Sequence, residues 1–463
     1  MSRGTRNRVV AEMEGVALGD PRRDRRALSV AKRLAMTPDA SLPEVMADQS
    51  ALEGLYRHLS SSEISLEQVL RPHVQKTVER VRKAGTAYAV SDTSGFTFGG
   101  KSRREGLGHV DSAIDQGFRA HVTLAIATDG SRQPLGVLAV GTRSRLGEDD
   151  KDHNESDRWS TGINVAESHF EPGRLIHVAD RESDIFRLIA EVSGRGWRFI
   201  FRAQYDRCLE TKHPEEASRL FAAVAKRQAR CKLDVPISAR KKQSTPKQRS
   251  AFPAREKRLA TLCFTAMAVH LKRPRLAPVS LPPVVEVNVV RVWEPDPPPG
   301  VAPIEWLLYT SEPISTPTQI RRVVEGYRTR WVIEEFFKAL KTGCAFEERQ
   351  LESAHALFNL FAYCLLIAYA MLLMRSLARS RTDLPADELL TDSQLLALGL
   401  LSHRRLPRRP PLHQALLLIA ALGGHLKNNG EPGWRTLSKG WRKLLLAEEL
   451  VLQLGPARRS DQS

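Results

Sequence analysis

The chain has 463 residues, 42% of them hydrophobic and 27% charged, with 70 Lys and Arg against 53 Asp and Glu for a net charge of +17. That length suggests about three globular domains, and the positive excess points to a polyanionic partner, nucleic acid first. The five cysteines, Cys208, Cys231, Cys263, Cys344 and Cys364, form no CxxC pair and no Cys/His group at zinc spacing. They read as reduced thiols of a cytoplasmic protein, and residues 1–20 lack the apolar core of a signal peptide.

Taken in chain order, residues 1–80 read as a helical N-terminal unit. Ala17-Leu18-Gly19-Asp20-Pro21 is a turn and helix start, followed by Arg22, Arg23, Arg25 and Arg26. Ser65 caps a further helix with Glu67 and Gln68 in its first turn. A compact basic helical unit suits recognition of DNA, although a solvated charged face would look the same.

From about residue 85 the pattern turns to strands. Residues 87–90 form a short apolar run ending at Asp92, and 121–127 and 135–140 flank the hairpin signal Thr128-Asp129-Gly130-Ser131-Arg132. Residues 175–179 read as a buried strand ending at Asp180, 184–192 as a helix, and 197–201 as a strand ending at Arg202. Residues 205–303 read as a mainly β insertion. Its middle carries Arg240, Lys241, Lys242, Lys247, Arg249, Arg255, Lys257 and Arg258, a solvated loop by composition. Residues 304–310 form a final strand, 317–340 one long helix, and 350–463 a helical region with a basic Pro-rich linker at 403–410. The apolar run 360–374 is shorter than a membrane span and reads as a buried helix, so no membrane partner is expected.

Two aspartates at strand ends and Glu334 on a distant helix are the residue types that hard cations such as Mg²⁺ need. Strand-end aspartates are also common as caps and surface residues, so the pattern alone is weak. On a continuous helix Tyr327, Arg330, Glu334, Lys338 and Lys341 share one polar stripe. The stripe suits a metal with phosphates beside it, or equally a solvated face laced with ion pairs.

The spacing Tyr327-x2-Arg330-x3-Glu334-x6-Lys341 resembles the signature of the DDE transposases of the insertion-sequence IS-four group, and Lys338 matches a variant of it. Asp92-Thr93-Ser94 resembles the first acidic motif of that group and Asp180-Arg181-Glu182-Ser183-Asp184-Ile185 the second. Trp306-Leu307-Leu308-Tyr309-Thr310-Ser311-Glu312-Pro313 resembles the strand before the third. Ala17 to Arg23 resembles the N-terminal DNA-binding region, and Gly423-Gly424 with Gly433-Trp434 the C-terminal helical region.

The resemblance implies an α/β fold: an RNase H-like catalytic core (81–204 and 304–375) interrupted by the β insertion (205–303), with helical domains at 1–80 and 376–463, the last for dimerisation. It implies that Asp92, Asp180 and Glu334 hold two Mg²⁺ or Mn²⁺ ions, and that Tyr327, Arg330, Lys338 and Lys341 contact phosphates. Trp306 then stacks on a flipped base, and Arg202 is a further phosphate contact. The implied activity is cut-and-paste transposition: metal-dependent cleavage at transposon ends through a DNA hairpin, then strand transfer. The implied partners are double-stranded DNA and a second copy of the chain bound with it, acting at the nucleoid. A non-catalytic DNA-binding inhibitor of transposition and a structure-specific nuclease are the alternatives. The carboxylate triad argues against the first, since a pure binder gains nothing from anions facing phosphates.

Overall fold

A computed structural model describes residues 8–46, 48–100, 102–110, 115–145, 156–211, 213, 215–237, 239, 254–426 and 430–454. Contacts divide the chain into two compact units, one of Met1–Ala87, Ser91–Phe170 and Trp331–Ser463, the other of Tyr88–Val90 and Glu171–Arg330. The expected basic-loop residues Arg240, Lys241, Lys242, Lys247 and Arg249 lie outside the described residues, as does the tail from 455 on.

The first unit opens with five helices: α1 (Arg8–Glu12), α2 (Pro21–Met36), α3 (Leu42–Met46), α4 (Gln49–Leu59) and α5 (Leu66–Ala84). Asp20 caps α2 by accepting from the Arg22 N–H at 2.7 Å, with Pro21 at the first helical position. Ser65 and Gln68 form a reciprocal capping box on α5. Strands β1 (Ala87–Thr97), β2 (Gly117–Ala127) and β3 (Pro134–Arg143) follow, in the order β3-β2-β1, and then helix α6 (Asp157–Glu167). The β2–β3 pair is antiparallel, as the hairpin signal implied. Helix α5 lies against β3 at Gly136, where φ is +144° and an added Cβ would meet Thr77 Oγ1 at 2.0 Å; only glycine allows that approach. Buried His73 on α5 accepts from the Val137 N–H at 3.0 Å and faces Glu12 at 2.6 Å, so one side chain ties α1 to the hairpin.

The second unit contains Tyr88–Val90 of β1, then β4 (Leu175–Ala179), α7 (Phe186–Gly194), β5 (Arg198–Arg202), α8 (Leu220–Ala225), β6 (Cys231–Ile237), β7 (Arg258–Lys272), β8 (Val284–Trp293), β9 (Glu305–Thr310) and α9 (Pro317–Arg328). Here β4 and β5 are parallel and joined by α7, as a crossover requires. From β5 the order continues β9-β8-β7-β6, every pair antiparallel. The strands of the expected insertion therefore extend the β4–β5 sheet through β9.

The chain returns to the first unit with α10 (Trp331–Lys338), a π-helical segment (Ala339–Gly343), and α11 (Ala354–Ser380), α12 (Asp392–Leu401), α13 (Leu412–Leu422) and α14 (Trp434–Leu454). Helix α11 is long and apolar enough to cross a membrane, yet 78% of its most apolar window is buried inside the protein, which is the setting of a core helix. In α14 the first turns bury Trp434, Leu437, Leu444 and Leu445, whereas Leu446, Leu450, Leu452 and Leu454 stay exposed. The expected single helix over 317–340 is two helices, α9 and α10, separated by Thr329 and Arg330.

Candidate active site

In the first unit Asp92 lies half-buried in the middle of β1, not at its end as the sequence suggested, because the strand continues through Gly95 to Thr97. The Asp92 carboxylate accepts from the Thr93 N–H at 2.8 Å. Thr93 Oγ1 accepts from Arg158 Nε on α6 at 2.9 Å, leaving its own proton for His121 Nδ1 on β2, also at 2.9 Å. His121 is then neutral with its proton on Nε2, a tautomer inferred from the network. Burial, and secondarily Arg158, pushes its pKa down to about 3. Trp159 packs edge-on against the imidazole with ring centres 4.7 Å apart.

Glu334 occupies the first turn of α10, half-buried. The apolar residues Ile333, Phe336 and Phe337 bury the other side of this helix, and Phe337 meets Phe96 of β1 at 6.4 Å between ring centres. Glu335 pairs with Arg375 of α11 at 3.0 Å and with Lys338 at 3.3 Å, and Lys338 Nζ lies 5.2 Å over the Trp331 ring. Lys341 sits within the π-helical segment, a distortion that often marks functional sites. Its Nζ lies 5.1 Å over Phe96 and 3.6 Å from Glu347, which also accepts from the Thr97 N–H at 3.0 Å. The segment is fixed by protein donors: Cys344 N–H to Ala339 O at 2.9 Å, Arg349 to Cys344 O at 2.7 Å and Ser438 to Gly343 O at 2.9 Å.

The second unit gathers the remaining candidates. Asp180 follows β4 directly, half-buried, and accepts from the Glu182 N–H at 2.9 Å at the start of a short 3₁₀ turn. Burial raises its pKa, and Arg330 and Arg181 oppose that shift. Buried Tyr327, at the end of α9, takes a hydrogen bond from Arg202; burial raises its pKa while Arg202 and Arg330 lower it. Trp306 of β9, half-buried, has its ring centre 5.9 Å from that of Tyr327. Helix α9 reaches the sheet at Gly326, where an added Cβ would lie 2.8 Å from Ile200 and 2.9 Å from Tyr88. The loop after Asp180 is anchored by Asp184, which accepts from Arg207 Nε at 2.8 Å and from the Gln204 and Tyr205 N–H groups at 2.6 and 2.8 Å.

The structure thus brings Asp180, Arg202, Trp306, Tyr327 and Arg330 into one unit, and Asp92, Glu334, Lys338 and Lys341 into the other. Arg22, Arg25 and Arg26 are exposed on α2, while Arg23 lies 3.7 Å from Glu63. Sequence reasoning missed His121, Arg158 and Arg375, whose partners lie 28, 65 and about 40 residues away along the chain. No periodicity announces such pairs.

As metal donors, Asp92, Asp180 and Glu334 offer oxygen only, which fits a hard divalent ion. Among the described residues no group of three or more His, Cys, Asp or Glu side chains is gathered as a metal site would gather them.

Residues 6–64 match the family model of a transposase DNA-binding domain, and residues 151–371 that of a transposase DDE domain. The chain is a transposase with a DNA-binding and a DDE domain. The four α2 arginines fall inside the first match of this transposase. Asp180, Arg202, Trp306, Tyr327, Arg330, Glu334, Lys338 and Lys341 fall inside the second, and Asp92 precedes it. DDE domains generally use divalent metal ions such as Mg²⁺. Among solved structures, a piggyBac transposase synaptic complex with hairpin DNA aligns with 80% of this chain and 73% of its own, at 7% identity and a TM-score of 0.35.

Proposed function

We propose that this transposase is a cut-and-paste enzyme of the IS-four type, with an RNase H-like core and with Asp92, Asp180 and Glu334 as its catalytic carboxylates. The observation that carries the reading is the surroundings of Asp180. A half-buried carboxylate of raised pKa shares one unit with Arg330, Tyr327, Arg202 and Trp306, contributed by separate elements. Those are the residue types that hold a phosphodiester and an extruded base.

The three carboxylates would hold two Mg²⁺ or Mn²⁺ ions, which when bound supply charge stabilisation at the attacking and leaving oxygens of an in-line displacement. Arg330, Arg202, Lys338 and Lys341 bind the non-bridging phosphate oxygens, and Tyr327 orients Arg202 through its hydroxyl. Water attacks the phosphodiester at the transposon end and releases a 3′-hydroxyl. That hydroxyl attacks the opposite strand to give a hairpin, displacing the flanking DNA. A second water opens the hairpin, and the freed 3′-hydroxyl attacks target DNA. Trp306 offers its face to the base unstacked at the hairpin, where stacking on an aromatic ring offsets about 1–3 kcal/mol.

Two ends must be held together, so the working form on DNA is a dimer. The exposed leucines of α14 are the surface we assign to it. Incubation with a labelled transposon end, Mg²⁺ and a target plasmid tests the reading. Nicked, hairpin and joined products are expected in that order; binding without cleavage indicates an inhibitor, and cleavage without joining a nuclease.

A further inference from the structure

The first unit contains a cavity of about 690 Å³ walled by α11, α13 and the residues before α14. Arg375, Arg379, Arg404, His413 and His425 line it against a single carboxylate, Glu431. Its remaining surface is largely apolar, with Leu417, Leu418 and Leu437. Arg375 and Arg379 stand one helical turn apart, where like charges repel. Both turn to Glu431: Arg375 donates to its carboxylate at 3.3 Å, and Arg379 donates to the same oxygen. Arg375 is further fixed by Glu335 at 3.0 Å and by the Trp434 ring at 4.6 Å. Burial, then the neighbouring Arg375, pushes Arg379 down to about 10. Across the cavity the side chains of Arg404, His413 and His425 make no hydrogen bond or ion pair among the described residues.

Glu431 is 60% exposed, so the contact it makes is a weak one, easily exchanged for a stronger anion. A phosphodiester presents two non-bridging oxygens that share one negative charge, and arginine binds such a pair in forked geometry. The cavity far exceeds one phosphate in size, and its apolar surface suits the attached sugar. We propose that this cavity is a second, non-catalytic DNA site that takes one backbone phosphate with its sugar, and that Glu431 occupies its arginine pair in the DNA-free protein. The inference rests on DNA as the partner and not on the assignment of the catalytic carboxylates.

The test is duplex-DNA binding by the full chain in EDTA, across a range of salt concentration, for wild type, Arg404→Gln, Arg379→Gln and Glu431→Gln. Without metal no cleavage occurs, so failure of the carboxylate assignment leaves this result untouched. Glu431→Gln is expected to tighten binding about three- to tenfold. Either arginine variant is expected to weaken it by a similar factor and to flatten the plot of log K against log salt by about one unit. Arg404 is exposed, so its variant keeps the test meaningful if Arg379→Gln fails to fold. Wild-type affinity and slope in Arg404→Gln together with unchanged or weaker binding by Glu431→Gln overturns the proposal. So does saturable binding of inorganic phosphate that Arg404→Gln abolishes while the DNA slope stays unchanged, which would assign the cavity to a free anion.

Discussion

The two units hold their candidate site residues in opposite electrostatic states. In the second, Asp180 is a partly desolvated carboxylate with Arg330 and Arg181 acting on it, and Arg202 and Arg330 both act on Tyr327. In the first, the lysines are already matched: Lys341 by Glu347 at 3.6 Å and Lys338 by Glu335 at 3.3 Å. On the proposed reading, a phosphate reaching the second unit meets the cations around half-buried Asp180. A phosphate reaching the first must displace an internal carboxylate.

The largest expected effect is on chemistry. Asp92→Asn, Asp180→Asn and Glu334→Gln each lower cleavage by at least about a thousandfold, because residues acting as one unit fail together. DNA binding in the same variants stays within about threefold, since affinity rests on cations. The comparison sharpens on stability. The raised pKa of Asp180 means that the folded state favours its protonated form, an advantage lost as pH rises through that pKa. At neutral pH Asp180→Asn therefore melts at or above the wild-type temperature in the absence of metal. A lower melting temperature would show that the ionised carboxylate has a structural partner.

Next comes Trp306→Ala, expected to slow hairpin formation by about 5- to 150-fold, the equivalent of one lost base stack. First-strand nicking should change far less. Equal loss in both steps would mark Trp306 as a packing residue of β9. Neutralising Arg22, Arg25 and Arg26 is a smaller change, spread over three exposed side chains. Each should reduce the salt slope of end binding by up to about one unit, read by anisotropy. The last effect is on acid stability and leaves the chemistry at neutral pH unchanged. His121 is neutral when folded, and its pKa falls from 6.5 to about 3. Its contribution is complete above 6.5 and is lost as pH falls toward 3. A shallower acid-denaturation curve is expected for His121→Gln than for wild type.

Much of the second unit was legible in the sequence. The apolar run before Asp180, the helix after it and the strand ending at Arg202 all occur as β4, α7 and β5. β4 and the centre of β5 are short, continuously buried runs and α7 buries Phe186, Leu188, Ile189 and Val192, patterns that a linear sequence displays directly. The break between α9 and α10 was not legible, because neither Gly nor Pro stands between the two helices and Gly326 lies inside α9. It arises where Thr329 and Arg330 N–H turn to carbonyls three residues back, at 3.1 and 3.0 Å, and the Thr329 hydroxyl bonds Gly326 O at 2.6 Å. That local competition ends the helix at Arg328. Asp92 was misplaced for the converse reason. Ser-Asp-Thr-Ser-Gly reads as a turn by composition, yet Ser91 and Thr93 satisfy their hydroxyls on Thr123 and His121 of β2 at 2.9 Å each, and the strand runs on.

The central claim is that Asp92, Asp180 and Glu334 serve one chemical step, although Asp180 belongs to a different unit from the other two. Single-turnover cleavage of a labelled transposon end in Mg²⁺, for the three single variants and the triple variant, tests it most directly. The account predicts that each single variant loses about as much rate as the triple variant, because each removes the same activity. Losses that multiply across the three positions, or an Asp180→Asn enzyme that cuts at near wild-type rate, would contradict it.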